Sequence, residues 1–262
     1  MNPDIELYKE LISFCNDNQE TIESKFKREL SFSEFNETCY VEMFEKCRKV
    51  ENPPPVKYFK EIIPGLSEAY KENGNYFMKK RNESIKGLDI QKGQWYEKAL
   101  QLFLNSKGLS VNKRGFPYPD FEVKYKDDIV GYYELKYIKA PFLSANQKIK
   151  NTYPYSTTRF DYEASLTLDT GNKLANQRKQ VVDLMNNGYS VHYVWWYDSF
   201  HIKGIFAMSA DEVYNYYDNI KEDLLIRNVR QGDEETHQER GKIYPPLLNM
   251  MTFSEYINFL MK

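Results

Sequence analysis

At 262 residues, with 41% hydrophobic and 28% charged side chains, the chain has ample apolar material for a buried core and reads as a globular protein. No apolar run approaches the roughly 18–20 residues that cross a bilayer, and the acidic start MNPDIELYKE lacks a signal-peptide pattern, so a membrane protein is excluded and a reducing cytoplasm is expected. A formal net charge of −2 excludes a global pull toward nucleic acid, so any phosphate binding has to come from a local patch.

From Pro3 to about Arg48, apolar residues such as Ile5, Leu7, Tyr8, Leu11, Ile12 and Cys15 recur at intervals of three and four, which predicts helix. The cysteines, Cys15, Cys39 and Cys47, show no CxxC spacing and no nearby histidine pair, and read as buried small hydrophobes. Asn52-Pro53-Pro54-Pro55 breaks the pattern, and a further helical stretch covers roughly 56–79 with an interruption at Pro64-Gly65, because proline removes a donor and restricts the residue before it. Residues 1–90 are therefore an α-helical N-terminal region without visible chemistry.

Residues 91–262 carry a different pattern. GQWYEKALQLFLNSKG is one amphipathic helix with Trp95, Ala99, Leu102 and Phe103 on one side and Gly108 as its stop. LSVNKR, FEVKYK and IVGYYELKYI follow as strands of an antiparallel meander, ended by Pro141. The segment of about 140–171 has no period, and a loop of that length in a compact domain is usually functional or disordered. NKLANQRKQVVDLMNNG is a helix stopped at Gly188, and YSVHYVWWYD reads as a strand covered on both faces. HIKGIFAMS is a further strand, Ser209 and Glu212 form a capping box for the next helix, and a last short helix begins after Thr252 or Ser254. The order α-β-β-β-loop-α-β-β-α predicts an α/β fold with a mixed sheet.

One stretch stands out within the meander. Pro119-Asp120 precedes one strand, and Glu134 and Lys136 lie two apart in the next, so alternation points both charges to one face. Tyr133, Leu135 and Tyr137 then face the core. A two-residue turn at Asp127-Asp128 would put Asp120 and Glu134 on opposite faces; a three-residue turn, or a bulge, brings them opposite each other. Two carboxylates and a cation brought to one face of an otherwise apolar strand pair form the constellation on which any chemistry here would rest. A rival triplet, Glu122-Val123-Lys124, has no Pro-Asp at a suitable distance upstream.

Pro119-Asp120 followed by Glu134-Leu135-Lys136 resembles the PD-(D/E)xK signature of the nuclease superfamily that includes many Type II restriction endonucleases. The resemblance spans roughly 91–218 and implies a restriction-endonuclease-like core, a mixed central sheet flanked by helices. It further implies phosphodiester hydrolysis with one or two Mg²⁺ ions, Asp120 and Glu134 as hard oxygen ligands with the Leu135 carbonyl added, Lys136 beside the attacking water, double-stranded DNA as partner and a homodimer reading a short site. Glu97 on the first core helix could reach the metal or its water, although a first-turn glutamate also complements the helix dipole. Gln177 and Gln180 could touch the active site or DNA from the following helix. A local excess of basic residues after Leu135 makes 140–171 the candidate DNA-contacting insertion, with Lys139, Asn146, Gln147, Lys148, Lys150, Asn151, Thr157, Thr158 and Arg159 as candidate contacts and Arg178 beyond it. The histidines, His192, His201 and His237, are scattered and read as structural. A structure-selective or repair nuclease on the same fold, or a non-catalytic nucleic-acid-binding protein, are the alternatives.

Overall fold

Asn2 opens the first helix: its side-chain oxygen accepts from the amides of Asp4 and Ile5, and Pro3 takes the first helical position, giving α1 (Pro3–Asp17). The computed structural model describes residues 2–23, 30–50, 54, 56–72, 86–115, 118–138, 172–198, 202–220, 225–227, 240–243, 245 and 247–262. A short α2 (Gln19–Ile22) ends where Glu23 turns left-handed at φ 58°. Ser33 then caps a fresh start for α3 (Glu34–Cys39), which continues as a π-helical turn over Tyr40–Glu45. The helix expected from Pro3 to Arg48 is thus broken, because a left-handed residue and an extended serine cap interrupt a hydrophobic period that carries across them. Helix α4 (Val56–Ile62) is followed by helix over 66–72, with Gly65 at φ +80° between them, the interruption expected at Pro64-Gly65.

Helix α5 (Lys86–Ser106) begins earlier than the sequence pattern indicates and stops at Gly108, whose φ of +89° needs no Cβ. Strands β1 (Ser110–Lys113), β2 (Phe121–Tyr125), β3 (Asp128–Ile138), β4 (Val191–Asp198) and β5 (Lys203–Ser209) form one sheet in sequence order. All neighbours are antiparallel except β3 and β4, which run parallel. A parallel pair needs a long crossover, and α6 (Asn172–Asn186) lies within it. Helix α7 (Ala210–Ile220) starts at the expected box, Ser209 Oγ accepting from the Glu212 amide at 3.2 Å and Glu212 Oε2 accepting from the Ser209 amide at 3.2 Å. A small pair, β6 (Leu225–Arg227) with β7 (Arg240–Lys242), was not anticipated. Helix α8 (Phe253–Leu260) closes the chain behind a Thr252–Glu255 capping box.

Both faces of the sheet are covered. Tyr133 and Leu135 of β3 and Val194 and Trp196 of β4 pack against Tyr8 and Leu11 of α1, Tyr96, Leu100 and Phe103 of α5, and Tyr256 of α8. On the other face, Tyr193, Trp195 and Phe206 meet Tyr40, Met43 and Phe44, Val181 of α6, and Val213 and Tyr214 of α7. The N-terminal helices thus supply part of both layers, and each buried large side chain contributes about 1.5–3 kcal/mol. All eight residues of β4 are buried, as a strand covered on both faces requires. At its C-terminal end Asp198 accepts from Tyr96 Oη at 2.9 Å and pairs with Lys203, and both charged residues are buried.

The cysteines are free and buried, and burial pushes the Cys15 and Cys39 thiols up to about 12, out of reach of nucleophilic work at neutral pH. His192 packs against Tyr256 and Phe259, and burial holds its imidazole down to about 4, so it is neutral and structural. His201 and His237 lie outside the described residues. Among the described residues no helix is long and apolar enough to cross a membrane.

Candidate active site

The β2–β3 hairpin turns on two residues, Lys126 and Asp127, both left-handed at φ 50° and 71°, which matches the right-handed twist of its strands. This turn pairs Tyr125 with Asp128 and Lys124 with Ile129, a register that would carry Asp120 to Tyr133. The register then shifts: Val123 pairs with Gly131 and Phe121 with Tyr133, leaving Val130 as the extra residue of a bulge. Continued by one step, the ladder sets Asp120 opposite Glu134. The turn is neither of those weighed from the sequence, and a bulge supplies the correction.

Local packing holds the bulge. Ser190 Oγ donates to the Val130 carbonyl at 2.8 Å, and the Ser190 carbonyl accepts from the Tyr132 amide at 2.9 Å. A Cβ on Gly131 would come within 2.4 Å of Ser190 Oγ and 3.0 Å of its carbonyl oxygen, so only glycine allows the approach. Gly131 inside a strand pattern was a legible sign of this feature; Ser190 gave none.

At the site itself, the Asp120 amide donates to Glu134 Oε2 at 3.3 Å and Lys136 Nζ donates to Glu134 Oε1 at 2.5 Å. Glu134 is 5% exposed, whereas Asp120 and Lys136 are half-buried. Burial pushes the Glu134 carboxyl up to about 7; Lys136 opposes this, and the neighbouring Asp120 adds to it. Burial also presses on Lys136, but the Glu134 and Asp120 carboxylates outweigh it and hold the amine above its ordinary value. Strand β2 ends its pairing at Phe121 and Tyr133, so from Glu134 onward β3 is paired on the β4 side alone, and the Leu135 backbone lies in the stretch where β2 leaves β3.

Arg114, which sequence reasoning passed over, holds the Pro-Asp segment. Its amide donates to the Asp120 carbonyl at 2.7 Å, its Nη1 donates to the Pro119 carbonyl at 3.4 Å, and its guanidinium lies 4.8 Å over the Tyr132 ring. Nothing in the spacing of charges could have singled it out, because the clamp exists only once β1 and β2 pair.

The other candidates divide. Glu97 is on α5, which packs on the Tyr133 face, and its carboxylate pairs with Lys113 at 2.6 Å beside a groove of about 340 Å³ lined by Gln94, Trp95 and Gln101. No described contact joins it to Asp120, Glu134 or Lys136. Gln177 is half-buried on α6, and Gln180 Oε1 is buried without a hydrogen bond among the described residues. Arg178 forks to Asp218 at 2.8 and 2.6 Å and lies 4.9 Å over Tyr214, so its guanidinium ties α6 to α7. Glu122 of the rival triplet pairs with Lys124 at 3.5 Å on a half-exposed strand face. Lys139, Asn146, Gln147, Lys148, Lys150, Asn151, Thr157, Thr158 and Arg159 lie outside the described residues.

Whether the site suits a divalent cation is a matter of its donors. The Asp120 carboxylate stands beside a second, buried carboxylate, that of Glu134, and acts on it and on the Lys136 amine. Two adjacent carboxylates sharing one lysine are an excess of hard oxygen, the donor set for Mg²⁺ with waters completing the shell. No cluster of three or more acidic, histidine or cysteine ligands occurs among the described residues, so the protein's share would be small.

Fold and site together define an α/β protein whose mixed sheet carries a paired-carboxylate and lysine centre where β2 parts from β3. No protein-family model and no curated protein matches the chain. Among solved structures, the 1.6 Å structure of Archaeoglobus fulgidus Hjc, a Holliday junction resolvase from an archaeal hyperthermophile, is similar at 13% identity and a TM-score of 0.35, over 64% of this chain and 96% of that one.

Proposed function

We propose that the chain is a Mg²⁺-dependent endonuclease hydrolysing phosphodiester bonds in double-stranded DNA. The observation that supports it is the meeting of Asp120, Glu134 and Lys136 on one face, with the Glu134 carboxylate bonded to both the Asp120 amide and the Lys136 amine. Asp120, Glu134 and the Leu135 carbonyl would hold the cation. When bound, Mg²⁺ supplies Lewis acidity toward the phosphate and a water of lowered pKa.

The chain's own groups do the rest. Lys136, kept protonated by two carboxylates, orients the attacking water and counters charge building on the phosphate oxygens. Burial of Glu134 keeps its position fixed and strengthens its interaction with a cation. The Arg114 clamp keeps Asp120 in register as substrate enters.

The finer reading is a Type II restriction enzyme acting as a homodimer on a short site, with residues 140–171 supplying contacts to phosphates and base edges. A structure-selective nuclease would use the same centre. Digestion of plasmid and four-way-junction DNA in Mg²⁺ and in EDTA tests both levels. Discrete plasmid bands support site-specific restriction, and cutting confined to junctions supports the alternative. No Mg²⁺-dependent cleavage of either substrate sinks the nuclease reading.

A further inference from the structure

The active-site face has an aromatic wall that the chemistry above does not use. In the parallel β3–β4 ladder Glu134 is the partner of Tyr193, so the two side chains project side by side, 5% and 1% exposed. Tyr193 Oη shares a hydrogen bond of 3.0 Å with Tyr214 Oη on α7. Tyr214 is itself fixed, because the Arg178 guanidinium covers its ring at 4.9 Å while forking to Asp218 one helical turn further along α7. On its other side Tyr193 meets Tyr118, ring centroids 6.4 Å apart, and Tyr118 lies two residues before Asp120. Tyr118 Oη is buried and acts on the Tyr193 phenol.

Tyr193 therefore touches both segments that bring carboxylates to the site: it stands beside Glu134 on one strand and against the residue that leads into Asp120. A rigid ring in that place sets the spacing of the two acids. It also limits the rotamers by which Glu134 could fold onto Lys136 and turn away from Asp120. Burial keeps the Tyr118, Tyr193 and Tyr214 phenols protonated, and Glu134 is within electrostatic reach of all three.

We propose that Tyr193, locked by its hydrogen bond to Tyr214, is a positioning residue that holds Glu134 and Asp120 at the separation a divalent cation needs. The inference rests on the metal-dependent reading of the site and adds to it a dependence on the α7 helix. It predicts that losing either phenol oxygen does the same damage, since one hydrogen bond is lost in both cases, and that the double loss adds nothing.

The test is Mn²⁺ binding by isothermal titration to wild type, Tyr193→Phe, Tyr214→Phe and the double variant, with Tyr256→Phe as control. Tyr256 is equally buried, on the opposite face. The expected result is about fivefold weaker Mn²⁺ binding in each single variant and in the double, with the control unchanged and DNA affinity in Ca²⁺ unaltered. In cleavage, kcat should fall with KM for DNA held. Wild-type Mn²⁺ affinity in both single variants overturns the proposal, as does an additive double variant or an equal loss in Tyr256→Phe. Should Tyr193→Phe fail to fold, Tyr214→Phe alone decides it. A wild type that binds Mn²⁺ but cuts no DNA removes the nuclease reading and leaves the titration to decide on Tyr193; a wild type that binds no Mn²⁺ removes both.

Discussion

Asp120 faces Glu134 across the β2–β3 ladder because Val130 is one residue too many for the hairpin, and the Asp120 amide donates to the Glu134 carboxylate at 3.3 Å as a result. A hairpin that kept the register of its turn would oppose Asp120 to Tyr133, whose side chain belongs to the opposite face.

On the proposed nuclease reading the bulge is a condition of activity. Deleting Val130 leaves every candidate catalytic residue in the chain and should still abolish Mg²⁺-dependent cleavage. Gly131→Ala should act through the same feature, forcing Ser190 away at about 1–3 kcal/mol. Cleavage assays alongside urea unfolding check both, and full activity in the deletion would show that the register does not matter.

Removing the chemistry directly should be more selective. Asp120→Ala, Glu134→Ala and Lys136→Ala should each lower kcat by about 10²–10³-fold or more while far-UV circular dichroism stays that of wild type. Turnover near wild type in any one of them would move the chemistry elsewhere.

Glu134 makes the metal-free protein sensitive to pH. Its carboxyl is held up at about 7 in the fold against 4.5 ordinarily, so between those values the folded state keeps a proton that the unfolded chain has released. Stability should fall as pH rises through this window, by on the order of 2 kcal/mol. Glu134→Gln, whose amide oxygen can still accept from Lys136, should flatten the fall, and Mg²⁺ should offset it in wild type. Urea midpoints at pH 5 and 7.5 in EDTA measure it; equal slopes for the two proteins would contradict the assignment.

The buried Asp198–Lys203 pair should show the opposite economy. Asp198→Ala removes a buried carboxylate that both Lys203 and Tyr96 bond, and should cost about 3–5 kcal/mol. A double change, Asp198→Leu with Lys203→Met, should recover most of that loss. Thermal unfolding of the three proteins decides it, and a near-neutral single variant would mean that the pair is not isolated from water.

Some of this protein was legible in one dimension because the physics involved is local. The alternation of Tyr133, Glu134, Leu135 and Lys136 between faces, the stops at Gly108 and Gly188, the Ser209–Glu212 box and the helix start after Thr252 depend on backbone geometry within a few residues. The α/β fold class could therefore be read from the order of the elements and the shared face of Glu134 and Lys136 from alternation, while the resemblance to a family signature added Asp120 as a candidate. Register could not, because it depends on how a left-handed turn at Lys126-Asp127 and a bulge held by Ser190, sixty residues away, add together. The break between α2 and α3 escaped the hydrophobic period, which continued across it. That Arg178 forks to Asp218 of α7, and that Glu97 pairs with Lys113 on a helix packed against the Tyr133 face, only the packed structure shows. Charge and spacing name the groups that can act, but only the packed sheet determines which of them share a face, since partners distant in sequence take or leave each charge.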